Sequence, residues 1–328
     1  MSEPEGRGVA WTEEQSEPPG RGAAWTEERE TSDEGRRRLK APRRASGEQS
    51  TSDEGRRRSE GGMGRRAGPR EASGRHSMGD EIRYEVDNSV AWLTINRPEA
   101  RNALSAAVRE GLAEGLRRFT EDGGARVLVL TGAGDQAFCA GGDLKEMAST
   151  GLKVPPPEFL PQVGAVAKPV IAAVNGVAYA GGFLLAQSCD LCIAADTARF
   201  AISEVKVGRG APWAAPLPWL IPPRVAMQLL LTGDPITAQR AHEIGLVNEV
   251  VPAAQLRAAA QAMAERIAAN APLSVLAAKR TVSLIAEMPL SAARQAADEI
   301  WEPVYLSADA QEGPAAFREK RPPVWLGR

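Results

Sequence analysis

The hydrophobic pattern divides the chain near residue 78. From Val90 the run VAWLTI is apolar and β-rich, and it reads as a strand broken by Asn96-Arg97-Pro98. Residues 103–119 carry apolar positions at helical spacing, with Asn102 or Ser105 available as the cap. Residues 126–130 predict a short buried strand, from which Thr131-Gly132-Ala133-Gly134 turns away. A second apolar strand over 169–174 ends at Asn175-Gly176, and a small-residue stretch leads into a predicted helix over 181–188. Further strands are expected at 190–194 and 246–251. Beyond Pro252 the pattern is helical, broken at Asn270-Ala271-Pro272 and at Met288-Pro289. Strand–helix alternation followed by a helical C-terminal third predicts an α/β fold with a helical appendage.

Residues 1–77 carry neither period. They hold 16 Lys and Arg against 15 Asp and Glu, and from the Ile, Leu, Val and Phe set only Val9 and Leu39. SEPEGRGVAWTEE from Ser2 returns as SEPPGRGAAWTEE from Ser16, and TSDEGRRR from Thr31 returns at Thr51. A solenoid needs an apolar face in every unit, and here each unit offers little beyond Trp11 or Trp25. The segment therefore reads as a disordered low-complexity tail. The arginine triplets at 36–38 and 56–58 stand beside Asp33, Glu34, Asp53 and Glu54, a solvated polyampholyte rather than an arm for nucleic acid. Truncation of residues 1–77 is expected to leave melting temperature and turnover unchanged; a large drop in either would show that the tail packs against the domain.

Met78 opens the globular pattern. Residues 78–328 hold 24 basic and 27 acidic groups, a balance that argues against a protein built to grip nucleic acid or an anionic membrane. Three cysteines exclude a disulfide scaffold and fit a reducing compartment. No apolar run approaches a membrane span, so a cytoplasmic protein is expected.

Candidate chemistry narrows by residue type. A nucleophile triad lacks its base: His76 lies in the tail, and His242, in AHEIGL, reads as a helix-surface residue. Cys189-Asp190-Leu191-Cys192 matches CxxC without a second pair or a histidine cluster, so no metal site is expected and the thiols read as core. No GxGxxG spacing occurs in the glycine-rich stretches. Those stretches are Phe138-Cys139-Ala140-Gly141-Gly142-Asp143 and Asn175-Gly176-Val177-Ala178-Tyr179-Ala180-Gly181-Gly182, the second running into a helix. Glycine there lets a ligand approach the main chain, and the start of a helix presents unpaired N–H groups.

NRPEARNALS from Asn96, AFCAGGDLKEM from Ala137, KPVIAAVNGVAYAGG from Lys168 and LLTGDPITAQRAHEIGLVNEVV from Leu230 together resemble the crotonase (enoyl-CoA hydratase/isomerase) superfamily, in order from about Glu81 to Arg328. DAQEGPAAFREKRPPVWLGR from Asp309 is similar to the hydratase and carnitinyl-CoA dehydratase branch. The resemblance implies a core of ββα turns over 78–268, a helical trimerisation region over 269–328, and homotrimers often paired into hexamers. It implies acyl-CoA thioester substrates and no separate cofactor, since coenzyme A arrives with the substrate. Two backbone amides, matching Ala140 and Gly181, would form an oxyanion hole, with Gly141, Gly142, Asp143, Gly182 and Leu184 around the substrate. Phe317 and Lys320 match positions that contact the adenosine and 3′-phosphate of coenzyme A.

The carboxylates separate the possible reactions. The resemblance implies two glutamates holding a water; one matches Glu204, whereas the other falls on Leu184, which accepts no proton. A lone glutamate in an apolar pocket beside Val205, Trp213 and Leu184 favours a double-bond shift by proton removal and return. A hydratase or dehydratase working from Glu204 without the second glutamate is the alternative that the C-terminal resemblance favours. A non-catalytic acyl-CoA-binding protein is the alternative of another class. Segment 209–216 (RGAPWAAP) is bulkier than the glycine-rich loop of that branch and implies an altered acyl pocket.

Overall fold

The strands over 127–132 and 170–174 are buried along their whole length, which requires cover on both faces. The computed structural model describes residues 80–149 and 162–328. The predicted tail, residues 1–77, lies outside the described residues. The strands in chain order are β1 (Ile82–Asp87), β2 (Val90–Ile95), β3 (Val127–Gly132), β4 (Ala137–Cys139), β5 (Val170–Val174), β6 (Val177–Tyr179), β7 (Leu191–Ala195), β8 (Arg199–Ala201), β9 (Ile236–Thr237) and β10 (Glu249–Val251). A large sheet runs β1-β2-β3-β5-β7-β10, parallel except for the β1–β2 hairpin, and a small one runs β4-β6-β8-β9. Each step β3 to β4, β5 to β6 and β7 to β8 leaves the large sheet for the small one. The first two steps end in helices α2 (Leu144–Ser149) and α3 (Gly181–Gln187), which follow α1 (Ala106–Glu121) in the numbering. This is the ββα repetition expected, and the α/β class holds.

Helix α1 packs on β1 and β2. The chain continues through α4 (Leu217–Leu220), α5 (Pro223–Thr232) and α6 (Ala238–Glu243) to α7 (Leu256–Ala268), which crosses β2, β3, β5 and β7. The sheet face beneath α7 is anchored by Trp92, whose Nε1 donates to Gln261 Oε1 at 2.8 Å. Leu93, Leu128, Leu130, Ile171 and Ile193 are fully buried in these strands, and each such side chain contributes roughly 1.5–3 kcal/mol. Helices α8 (Pro272–Glu287), α9 (Leu290–Tyr305) and α10 (Ala308–Glu319) complete the chain.

The differences from the sequence reading have local causes. Helix α1 starts at Ala106 because Ser105, not Asn102, is its cap: Ser105 Oγ accepts from Val108 N at 3.2 Å, worth about 1 kcal/mol. The strand expected over 246–251 shrinks to Glu249–Val251, because the Leu246 and Val247 amides turn back to Ala241 O and close α6, with Gly245 at φ 85°. A further break at Ser307, whose Oγ caps Ala310 N at 3.1 Å, divides α9 from α10. Strands β4, β6, β8 and β9 are two or three residues long, too short to show a period.

Candidate active site

In the small sheet, β4, β6 and β8 run parallel and adjacent, so their C-terminal ends open onto one place. The chain leaves those ends as Ala140–Gly142, as Ala180–Gly182 and as Ile202–Glu204. Ligands of parallel sheets gather at such an edge, and the two glycine stretches and the Glu204 turn leave the small sheet there. Close approach explains the glycines: a Cβ on Gly182 would stand 2.0 Å from Cys139 O, and Gly141 has φ 98°. Ala180 enters α3 at φ 51° and ψ −118°, a conformation that costs a residue with a Cβ on the order of 1–3 kcal/mol.

Accounting for every amide corrects one expectation. The Ala140 N–H, expected as an oxyanion donor, is bound to Arg101 O at 3.0 Å. The Gly141 N–H goes to the Cys139 thiol, and the Asp143 N–H to Leu104 O at 3.4 Å. Gly142 pairs with Leu104 in a parallel bridge whose bonds come from its neighbours, so its own N–H has no acceptor among the described residues. The Gly181 amide, on the first turn of α3, has none either. The two loops touch: a Cβ on Gly141 would lie 3.5 Å from Gly181 N. Gly142 and Gly181 thus carry the amides without an acceptor among the described residues, and the strand-like pairing with Leu104, invisible in the sequence, leaves Gly142 rather than Ala140 in that state.

Asp143 is part of the scaffold. Its Oδ1 accepts from Lys145 N (3.1 Å) and Glu146 N (3.2 Å), and its Oδ2 meets Arg97 Nη1 at 3.2 Å. These donors hold its carboxyl below the usual range, the Glu146 amide contributing most. Arg97 also pairs with Glu81 at 3.0 Å. Asn102, fully buried, donates to Ala137 O at 2.7 Å and to Ala133 O at 3.0 Å while accepting from Arg97 N at 2.9 Å. The NRPEARN segment therefore stiffens the loop that carries Gly142.

Glu204 stands on a 3₁₀ turn, Ser203–Val207, directly after β8. Its Oε1 accepts from Trp213 Nε1 at 3.1 Å, and its Oε2 is buried without a partner among the described residues. Burial raises its pKa, partly offset by its own backbone N–H and by the indole N–H. Leu184, half-buried on the first turn of α3, offers no polar atom.

The remaining candidates sit elsewhere. His242 Nδ1 lies 3.0 Å from Val247 O on the surface of α6. Cys189 Sγ donates to Leu185 O at 3.3 Å, and burial pushes the Cys192 thiol up to about 12, so both thiols are inert core groups. Phe317, 88 % exposed, and Lys320 lie at the end of α10 and make no hydrogen bond to the glycine loops or Glu204 among the described residues. A cavity of about 700 Å³ between residues 164–167, α8 and α9 does not include Glu204. No helix among the described residues is long and apolar enough to cross a membrane.

Comparison with known proteins bears on the fold and the family. Residues 85–328 match the profile of the enoyl-CoA hydratase/isomerase family. The chain is 42 % identical over 255 residues to (E)-benzylidenesuccinyl-CoA hydratase of Thauera aromatica, covering 75 % of this chain and 99 % of that protein. It is 38 % identical over 253 residues to carnitinyl-CoA dehydratase of Proteus mirabilis, covering 73 % and 96 %. Among solved structures, a probable enoyl-CoA hydratase/isomerase from Mycobacterium abscessus superposes with a TM-score of 0.71 at 42 % identity, over 76 % of this chain and 100 % of that one.

Proposed function

Because this chain belongs to the enoyl-CoA hydratase/isomerase family, we propose that it adds water reversibly to an α,β-unsaturated acyl-CoA thioester, with Glu204 as the acid–base. The observation that carries this reading is the meeting of a buried, half-partnered carboxylate with two unpaired amides at one sheet edge. The thioester oxygen accepts from the Gly142 and Gly181 N–H groups, which stabilise it as enolate charge develops. Glu204 takes a proton from water as the water oxygen bonds to Cβ. The C=C electron pair moves onto the thioester as an enolate, and Glu204 then returns its proton to Cα. The carboxylate is restored, and no further cofactor enters. The names of the relatives, a hydratase and a dehydratase, support this direction of chemistry.

A second reading, double-bond isomerisation, is favoured by Leu184, since Glu204 alone would remove a proton from Cα of a 3-enoyl thioester and return it to Cγ. In either reaction Phe317 and Lys320 would hold the adenosine end of coenzyme A, most readily in a trimer that brings α10 to a neighbouring copy's site. Incubation with 2-enoyl- and 3-enoyl-CoA thioesters, (E)-benzylidenesuccinyl-CoA among them, followed by chromatographic separation of the isomers and mass spectrometry, tests the proposal. Gain of one water from a 2-enoyl thioester is the expected result. Conversion of a 3-enoyl thioester without change of mass would replace hydration by isomerisation, and no turnover of any thioester would leave a CoA-binding protein. Leu184→Glu is expected to accelerate hydration, because it adds a second acceptor for the attacking water.

A further inference from the structure

Trp213 lies on a 3₁₀ turn, Pro212–Ala214, within the bulky segment after Glu204. Three contacts fix it. Gln187 Nε2 donates to its carbonyl at 3.0 Å, the buried Phe183 ring lies 6.1 Å from its ring at 40°, and its indole N–H donates to Glu204 Oε1 at 3.1 Å. Phe183 and Gln187 both belong to α3, the helix that presents the Gly181 amide at its start. One short helix thus carries a proposed oxyanion donor and the supports of the residue that grips the base. Among the described residues Gln187 Oε1 is buried and unpartnered, and Glu204 Oε2 is as well.

We propose that Trp213 is a positioning residue: its indole N–H occupies Oε1 of Glu204, so that the proton passes through Oε2 alone. This rests on Glu204 being the acid–base. With leucine at 184, one carboxyl group must both take and return the proton, and a carboxylate free to rotate would present its oxygens in turn. A neutral donor suits the task. A lysine or arginine in its place would hold the carboxylate too firmly ionised to give a proton back. The charged groups on and against the turn are Lys206, which is paired with Asp234 at 2.6 Å, Arg209, whose N–H donates to Glu204 O, and Arg224 of α5. None of them enters the causes that set the Glu204 carboxyl.

Trp213→Phe keeps an aromatic ring against Phe183 and removes the N–H. It is expected to lower kcat by about 10- to 100-fold with little change in KM. The acidic limb of the kcat profile should move to higher pH, since the ionised carboxylate loses a donor. A purely structural role would not move that limb. Combined with Glu204→Gln, Trp213→Phe should add no further loss. Replacement of Trp213 by 3-benzothienylalanine, which has the indole's shape without its N–H, gives the same readout should the phenylalanine variant fail to fold. Wild-type kcat and an unmoved limb in either variant, with Glu204→Gln inactive, would overturn the clamp and leave the base in place. An active Glu204→Gln would instead remove the base itself.

Discussion

Glu204→Gln is expected to lower turnover by about 10²–10⁴-fold while acyl-CoA affinity stays within a few-fold, because the carboxylate transfers a proton and the amide cannot. Glutamine can still accept from the Trp213 indole through its oxygen, so the turn after β8 keeps its shape. The same substitution is expected to raise the melting temperature at pH 8. Burial raises the folded-state pKa of Glu204 above its value in the unfolded chain. Between those two values the folded state binds more protons than the unfolded one, so stability falls as pH rises through that window and stays lower above it. Glutamine has no such dependence. The gain over wild type should therefore be present at pH 8 and vanish below the ordinary glutamate range, as calorimetry at both ends would read. A variant that is inactive and destabilised at every pH would show that Glu204 holds the turn together rather than the proton.

Gly142→Pro is expected to reduce kcat by ~10²–10³-fold, the loss associated with one oxyanion donor. The loss should fall on kcat more than on binding, since the enolate charge develops only along the reaction. Gly142→Ala is the matched control. A Cβ there stands 2.9 Å from Met147 Sδ, part of a flexible side chain that both variants must displace, but alanine retains the N–H. The residue before the proline is Gly141, whose lack of a Cβ eases the strain that proline imposes on its predecessor. Position 181 gives a less clean test, because a Cβ there would meet Leu104 Cδ1 at 2.7 Å. Proline at Ala140 would break the bond to Arg101 O, so its expected signature is lost stability. A folded, ligand-binding Gly142→Pro protein with ordinary turnover would end the oxyanion assignment.

The sequence by itself determined the fold class, and it did so through β2, β3, β5, β7 and the helices from α7 onward. Their apolar runs are long enough for a period of two or of 3.6 to show, and Gly, Pro and Asn mark their ends. The family resemblance of its motifs brought Glu204 into view and gave the two glycine stretches a shared role, since on their own those stretches read equally well as turns. The small sheet was not legible. Its strands of two or three residues form because they pair across long separations, Ala137 beside Val177 and Val177 beside Arg199. Only the tertiary contacts settle which amide of the Ala140-Gly141-Gly142 run lacks an acceptor among the described residues, because that depends on Arg101 and Cys139 taking the other two while Leu104 takes Asp143. They also decide that Asn102 bridges two loops while Ser105 caps α1, and that Trp213 reaches Glu204 nine residues away. Hydrophobic periodicity is a one-dimensional property that the chain carries openly. Which hydrogen-bonding group is left without a partner is settled only after every competing partner has been placed.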